Sequence, residues 1–336
     1  MSDLWRAGGA KKKLWAAAIL AAAFLLGAGA EYAISAGKDA IKPFVVRENS
    51  GGYKFINPIL VFTIGDKENF PQYAPLEKTL TDYIQNTKAA GKATDVSVYF
   101  RNLKNETWTG INEEDKYAPS SMLKVAVLIA YLKLSESDPS LLSKKAFYEE
   151  KIDPGQYFKP KHPLATGWHS NEELIKNMID ESDNVSVLTL IDNEKDGVAK
   201  VYHDLELPTP KSPTDIDFMS ARLYSRLFRV LYNGTYLSKD LSERALSILS
   251  GTDFDKGIKG AIPASIVVAH KFGERTLYNT TDGRLLERQL HDCGIIYKPE
   301  NPYFLCVMTR GKNFDALESV ISGISDLVYK NVSLKL

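Results

Sequence analysis

The pattern of hydrophobic residues along the chain separates two β-rich ends from a helical middle. Alternating positions predict a strand at 96–100, apolar runs between 266 and 310 predict further strands, and a 3.6-residue spacing predicts helices between residues 135 and 254. Residues 125–132 are apolar, follow a proline and two serines, and predict a helix buried on all sides. The strands are predicted over 96–100, 108–112, 266–269, 294–297 and 303–308, and the other helices over 76–92, 171–180, 218–232 and 314–329.

The order of these elements predicts the fold class. We expect an α/β protein, an α+β sandwich, over residues 56–336. One antiparallel sheet would be built from the N-terminal and C-terminal parts and flanked by helices. An all-helical subdomain would be inserted at about 119–254.

The first 55 residues follow a different pattern. Residues 14–30 carry no charge and come directly after three lysines, 11–13. This predicts a transmembrane anchor over 14–34, a cytoplasmic tail over 1–13 and a linker over 35–55, in a single-pass cell-membrane protein whose folded domain is extracytoplasmic. One alternative is a cleaved signal peptide ending in Ala-Gly-Ala at 28–30. A buried core helix is a third interpretation, which the flanking lysines disfavour.

Composition limits the possible partners. The 42 basic and 42 acidic side chains balance, so nothing favours nucleic acid. The five histidines are scattered without the spacing of a metal site, so we predict neither a metal nor a cofactor. We expect a monomer whose partners are its substrate and, through the N-terminal helix, the membrane.

Two cysteines lie on either side of a predicted turn at 298–302. A hairpin centred there would place Cys293 opposite Cys306, and an exported protein could oxidise the pair. The geometry of neighbouring strands is often poor for a disulfide, so two buried thiols are the favoured prediction.

Three short motifs carry the candidate chemistry. They are Ser-Met-Leu-Lys at 121–124, Ser-Asp-Asn at 182–184 and Lys-Phe-Gly at 271–273. Taken singly, they are typical of a helix start, a capped loop and the end of a strand. The informative feature is that all three occur in this order.

A serine hydroxyl becomes a useful nucleophile when a nearby base takes its proton. Ser121 and Lys124 are three residues apart, so on a helix they share one face. The Lys124 amine can act as the base if its pKa is lowered by burial or by a second positive charge, which Lys271 could supply. The first turn of a buried helix also offers free backbone N–H groups to an anion.

The other motif residues suggest further roles in such a reaction. Ser182 would relay a proton, and Asn184 would bind a substrate amide. At the predicted strand end, Lys271 would bind a substrate carboxylate, and Gly273 would leave room for the substrate to approach. The backbone N–H groups of Ser121 and Glu274 would form an oxyanion hole.

These motifs resemble those of class A serine β-lactamases and related penicillin-recognising enzymes. Residues 117–125 and 292–297 are also similar to family segments, and the resemblance extends over about 56–336. It implies a β-lactamase-like catalytic domain with Ser121 as the acylated nucleophile and Lys124 as a general base. It also implies that Ser182 and Asn184 line the cleft and that Lys271 recognises the substrate carboxylate.

The chain departs from the family pattern in two places. Phe272 stands where the family usually has a hydroxyl that binds the substrate carboxylate, and no Glu-x-x-Leu-Asn segment supplies a deacylation base. Glu206, Asp215 and Asp217 are possible substitutes. Three hypotheses follow: a β-lactam-hydrolysing enzyme, a D,D-peptidase or transpeptidase acting on peptidoglycan stem peptides with slow deacylation, and a catalytically inactive cell-wall-binding protein.

Overall fold

A five-stranded antiparallel sheet forms the centre of the fold. The computed structural model describes residues 44–48, 52–63, 70–151, 153–212 and 214–332. The strands within them are β1 (Phe44–Arg47), β2 (Ile59–Thr63), β3 (Asp95–Asn102), β4 (Trp108–Ile111), β5 (Lys145–Tyr148), β6 (Gly167–Ser170), β7 (Val268–Tyr278), β8 (Leu285–Ile296) and β9 (Tyr303–Gly311). The central sheet has the order β4-β3-β9-β8-β7, so β7 is an edge strand; β1 pairs with β2 and β5 with β6.

Eight α-helices lie in the described residues. They are α1 (Ala74–Ala89), α2 (Lys124–Ser135), α3 (Asn171–Asp180), α4 (Asn184–Asn193), α5 (Lys195–Asp204), α6 (Ala221–Tyr232), α7 (Lys239–Leu249) and α8 (Phe314–Asn331).

Helices cover both faces of the central sheet. Strand β3 alternates between the two sides: Val98 and Phe100 pack in a cluster with α1 and α8, whereas Tyr99 packs in a cluster with α2 and α6. Strand β3 also pairs along its length with β9, from Asp95 opposite Arg310 to Asn102 opposite Tyr303. The predicted sheet made from both ends of the chain is therefore confirmed.

Helix α2 runs through the centre of the helical part. All its residues from 124 to 132 are buried, as the unbroken apolar run predicted. A 3₁₀ turn, Ser120–Leu123, leads directly into it. The helix thus positions its first residue, Lys124, inside the protein rather than on its surface.

Three predictions about the elements are wrong. The insertion is not all-helical, because β5 and β6 form a hairpin whose four-residue strands are too short to show clear alternation. Part of the predicted linker forms strand β1, and the Arg47 guanidinium in this strand makes an ion pair with the Glu106 carboxylate at 2.7 Å. Finally, β7 does not end near His270 but continues to Tyr278, where its charged residues lie at the sheet edge.

Cys293 and Cys306 are register partners on β8 and β9 and form a disulfide. The predicted opposition of the two residues is confirmed, and the preference for two thiols is wrong. The bond joins the two strands where both sulfurs are fully buried.

The predicted tail and transmembrane anchor lie outside the described residues. Among the helices of the described ranges, none combines the length and apolarity needed to span a membrane.

Candidate active site

The turn that carries Ser121 is held from two sides. Met122 N donates to Pro119 O at 3.0 Å, and the Tyr224 hydroxyl of α6 donates to Met122 O at 2.9 Å. Ser120 has φ = 50°, a left-handed conformation that is costly for a residue with a side chain. These contacts hold the strained turn, and Ser121 remains partly exposed on it.

Lys124 lies one turn later, only 2% exposed. Its Nζ is 3.0 Å from Ser121 Oγ, 2.6 Å from Ser182 O, 3.2 Å from Ser182 Oγ and 2.8 Å from Asn184 Oδ1. A neutral amine can donate two of these bonds while its lone pair accepts the Ser121 O–H. The first two motifs therefore meet at a single nitrogen.

The loop 182–184 joins α3 to α4. The Asp183 carboxylate caps α4 by accepting from Ser186 N at 2.5 Å, and it also accepts from the Tyr148 hydroxyl at 3.3 Å. Asp183 thus faces inward and holds the loop, as predicted. Ser182 has φ = 56° and is 1% exposed, so its hydroxyl points into the protein beside the two motif lysines.

Lys271 enters the same site from β7. It is fully buried, and its Nζ donates to Ser182 Oγ at 2.9 Å and to Phe272 O at 3.3 Å. Ser182 Oγ thus lies between the amines of Lys124 and Lys271. A continuous hydrogen-bonded chain connects Ser121, Lys124, Ser182 and Lys271.

Burial changes the protonation of both lysines. It lowers the pKa of Lys124 to about 7, against the opposing effect of carboxylates led by Asp183. Burial and then the charge of Lys124 hold the pKa of Lys271 well below its ordinary value. Of the two causes that the sequence offered for a lowered Lys124 pKa, burial is the one that acts.

Gly273 is required by the protein itself. A Cβ at this position would lie 2.7 Å from Pro119 O and 3.2 Å from Met122 N. This close contact between β7 and the nucleophile turn gives a structural reason for the glycine, and the predicted role, room for a substrate, stays a prediction. This contact brings the next residue, Glu274, beside the same turn.

The Glu274 side chain makes contacts that the motifs did not indicate. Its Oε1 accepts from Tyr157 N at 2.8 Å and from Phe158 N at 2.7 Å, whereas Oε2 is buried without a hydrogen-bond partner. Burial raises the pKa of this carboxyl group. The sequence predicted a role only for the backbone N–H of Glu274, and the side chain adds a structural one.

Sequence reasoning missed the segment 153–159, which lies over the site. Asn184 Nδ2 donates to Asp153 Oδ2 at 2.7 Å, and Gln156 Nε2 donates to Ser182 O at 3.2 Å. The only local signal was a turn sequence, Asp-Pro-Gly at 153–155. That signal predicts a turn at these residues but does not indicate which part of the folded protein the turn contacts.

The three candidate deacylation bases have different surroundings. Asp215 lines a cleft of about 550 Å³ together with Ser120 and Leu123. The Glu206 side chain is 84% exposed and 3.4 Å from the Arg226 guanidinium. The Asp217 carboxylate is 3.2 Å from the Arg310 guanidinium.

One group of described residues has the spacing to hold a metal ion: His162, Glu181 and Asp253, whose ligand atoms lie within 4.8 Å of one another. Asp253 already has the ammonium of Lys161 at 3.2 Å. The group is separate from the hydrogen-bonded chain of serines and lysines.

The sheet with its helical insertion and the meeting of three motifs at buried amines define the β-lactamase class of fold. The model of the beta-lactamase enzyme family matches residues 75–332. The chain therefore belongs to the beta-lactamase enzyme family.

Solved structures are similar over most of the chain. A β-lactamase from Chitinophaga pinensis DSM 2588 is 23% identical, with a TM-score of 0.63 over 75% of this chain and 99% of its own. TLA-3 extended-spectrum β-lactamase is 22% identical, with a TM-score of 0.65 over 76% of this chain and 98% of its own. PBP-A is 17% identical, with a TM-score of 0.61 over 76% of this chain and 97% of its own. No curated protein matches the chain.

Proposed function

We propose that this protein is a β-lactamase-type serine hydrolase that forms an acyl-enzyme through Ser121. The observation that carries the proposal is the 3.0 Å contact between Ser121 Oγ and a buried amine whose pKa is about 7. Near neutral pH, a large fraction of Lys124 is neutral and can take the Ser121 proton as the oxygen attacks a carbonyl carbon.

The surrounding groups can complete acylation. Lys124 Nζ and Lys271 Nζ both contact Ser182 Oγ, at 3.2 Å and 2.9 Å, so Ser182 can deliver a proton to the leaving nitrogen. The backbone N–H groups of Ser121 and Glu274 would hold the oxyanion, where one donor is typically worth about 3 kcal/mol. Asn184 would bind the substrate amide, and Lys271 would orient the substrate carboxylate.

Release of the acyl group needs a base that activates water, and the described residues place no carboxylate base against Ser121. Asp215 borders the cleft beside the nucleophile turn, but no hydrogen bond links it to Ser121. This favours a second candidate: a D,D-peptidase or transpeptidase that acylates and then deacylates slowly. Among the structural neighbours is a PBP-A mutant solved as an acyl-enzyme complex with penicillin G.

Intact-protein mass spectrometry with a fluorescent penicillin tests the proposal. We expect one covalent adduct in the wild type and in the control Ser319→Ala, whose serine is exposed on α8, and none in Ser121→Ala. Turnover of a chromogenic cephalosporin would favour the β-lactamase, and an adduct lasting hours would favour the penicillin-binding enzyme. If no adduct forms and no cephalosporin is hydrolysed, the inactive cell-wall-binding protein replaces both.

We also propose that residues 14–34 anchor the protein in the cell membrane, with the catalytic domain extracytoplasmic. The support is the uncharged run behind three lysines. Membrane fractionation and N-terminal sequencing test this: an intact N-terminus in the membrane fraction is expected, and a soluble form beginning after residue 30 would instead indicate a cleaved signal peptide.

A further inference from the structure

Residues 153–159, here called the strap, connect the two walls of the candidate active site. On the helical wall, Asp153 and Gln156 bond to Asn184 and Ser182. On the β7 wall, the backbone N–H groups of Tyr157 and Phe158 bond to Glu274. The strap therefore crosses above the buried lysines.

Glu274 is the polar attachment of the strap to β7. The carboxylate takes two backbone N–H groups on one oxygen, while its other oxygen is buried without a partner. A buried carboxylate depends on its hydrogen bonds, and bonds to an ionised acceptor are stronger than neutral ones. Removing this side chain should therefore weaken the closed strap.

Aromatic contacts add an apolar attachment. The Phe158 ring centroid lies 5.6 Å from that of Phe272, 5.1 Å from that of Phe254 and 5.4 Å from that of Phe314. Phe158 is partly buried against this cluster. The strap is thus fixed to β7 by one carboxylate and one ring.

Residues of the strap line two separate cavities. One of about 290 Å³ is lined by Asp153, Gln156 and Asn184, and one of about 320 Å³ by Phe158 and Phe272. The cleft of about 550 Å³ lies elsewhere, beside Ser120 and Leu123, and strap residues do not line it. Ser121 is partly exposed although the strap is closed.

Two kinds of acyl donor would therefore meet the strap differently. Ser121 is partly exposed while the strap is closed, so a compact acyl donor can reach its hydroxyl with the strap in place. A peptide-length donor would lie along β7, because an edge strand offers free backbone groups for pairing. The strap occupies the space over residues 272–274 that such a donor would need.

We propose that the Glu274 side chain is a specificity-determining group: by fastening the strap across β7, it admits compact acyl donors to Ser121 and excludes peptide-length donors. This inference rests on the proposed acyl-enzyme function and names the substrate class of the same site.

The test compares two donors on the full-length protein. Benzylpenicillin is the compact donor, and an acylated tripeptide thioester is the peptide-length donor. Acylation rate constants are measured by intact mass and by thiol release for the wild type, Glu274→Gln and Glu274→Ala. Both substitutions keep the backbone N–H of residue 274. Glu149→Ala is the control, because Glu149 is an exposed residue that pairs with Lys151.

The readout is the ratio of the peptide rate constant to the penicillin rate constant. We expect this ratio to rise about tenfold in Glu274→Ala, equal to ~1.4 kcal/mol, and less in Glu274→Gln. It should stay at the wild-type value in the control. The ratio is informative because any change in the Lys124 pKa affects both donors alike.

A second variant tests the inference independently, in case Glu274→Ala does not fold. Phe158→Leu removes the ring contacts without touching Glu274, and it should raise the ratio in the same direction. Adducts that form with an unchanged ratio in both Glu274→Ala and Phe158→Leu would overturn this inference alone. The absence of any adduct in every protein would overturn the proposed function, and this inference with it.

Discussion

The ionisation of Lys124 predicts how acylation depends on pH. If the neutral amine takes the Ser121 proton, the acylation rate must be low when Lys124 is protonated and must rise as it loses its proton. Burial lowers the Lys124 pKa from 10.5 to about 7. We therefore expect the rate to increase between pH 6 and 8 and to reach a plateau above that range.

The size of the effect follows from the shift. A change from 10.5 to about 7 corresponds to about 5 kcal/mol, at about 1.4 kcal/mol per unit. At pH 7 it raises the neutral fraction of the amine from roughly 0.03% to roughly half. Replacing Lys124 by arginine removes the base, because a guanidinium stays protonated, and should reduce acylation by about 100-fold to 10,000-fold.

The assay is the pre-steady-state burst with a chromogenic cephalosporin, or adduct formation with a fluorescent penicillin, measured from pH 5.5 to 9. Lys78→Arg is the matched control, since its side chain is 77% exposed on α1. Because Lys124 and Lys271 both contact Ser182 Oγ, the observed midpoint belongs to the coupled pair.

Two outcomes would refute this reasoning. The first is an acylation rate that does not change between pH 6 and 8. The second is a Lys124→Arg variant that acylates at the wild-type rate while it retains the wild-type unfolding temperature. Either result would mean that another group takes the Ser121 proton.

Two further predictions concern the scaffold. Replacing Cys293 and Cys306 by serine removes a cross-link with a sequence separation of 13 and should lower the free energy of unfolding by about 3 kcal/mol. Urea denaturation, with the oxidised wild type as reference, measures this difference, and equal stabilities would contradict the prediction. Gly273→Ala places a Cβ 2.7 Å from Pro119 O, so it should displace the nucleophile turn, destabilise the protein by about 1–3 kcal/mol and reduce acylation more than tenfold. A Gly273→Ala protein that acylates at the wild-type rate would show that the turn tolerates this contact.

Much of the sheet and the meeting of the motifs followed from local patterns. Alternation identified β3, an apolar run identified β9, and three-residue spacing put Ser121 and Lys124 on one face. The order of the motifs indicated that Ser182 and Lys271 belong to the same site. These inferences succeeded because each depends on neighbours in sequence or on a motif with fixed geometry.

Other features depend on contacts between distant residues. Glu274 and the N–H groups of residues 157 and 158 are more than 100 positions apart, and a loop has no periodicity from which to place it. The full burial of Lys271 was equally hidden, because a lysine near a strand end is usually solvated. Predicting the disulfide would have required the exact register between β8 and β9. The position of the turn at 298–302 gives that register only approximately.

Phe272 connects the departure from the family motif with the strap. The residue lacks the hydroxyl that the family usually places here. Its ring instead stacks on Phe254, with 4.2 Å between centroids, and lies 5.6 Å from the ring of Phe158. A threonine here would offer a hydroxyl to a substrate carboxylate but no ring to the strap. Phe272 thus lacks the substrate contact that the family residue usually makes and supplies an apolar attachment for the strap, beside the polar one that Glu274 supplies.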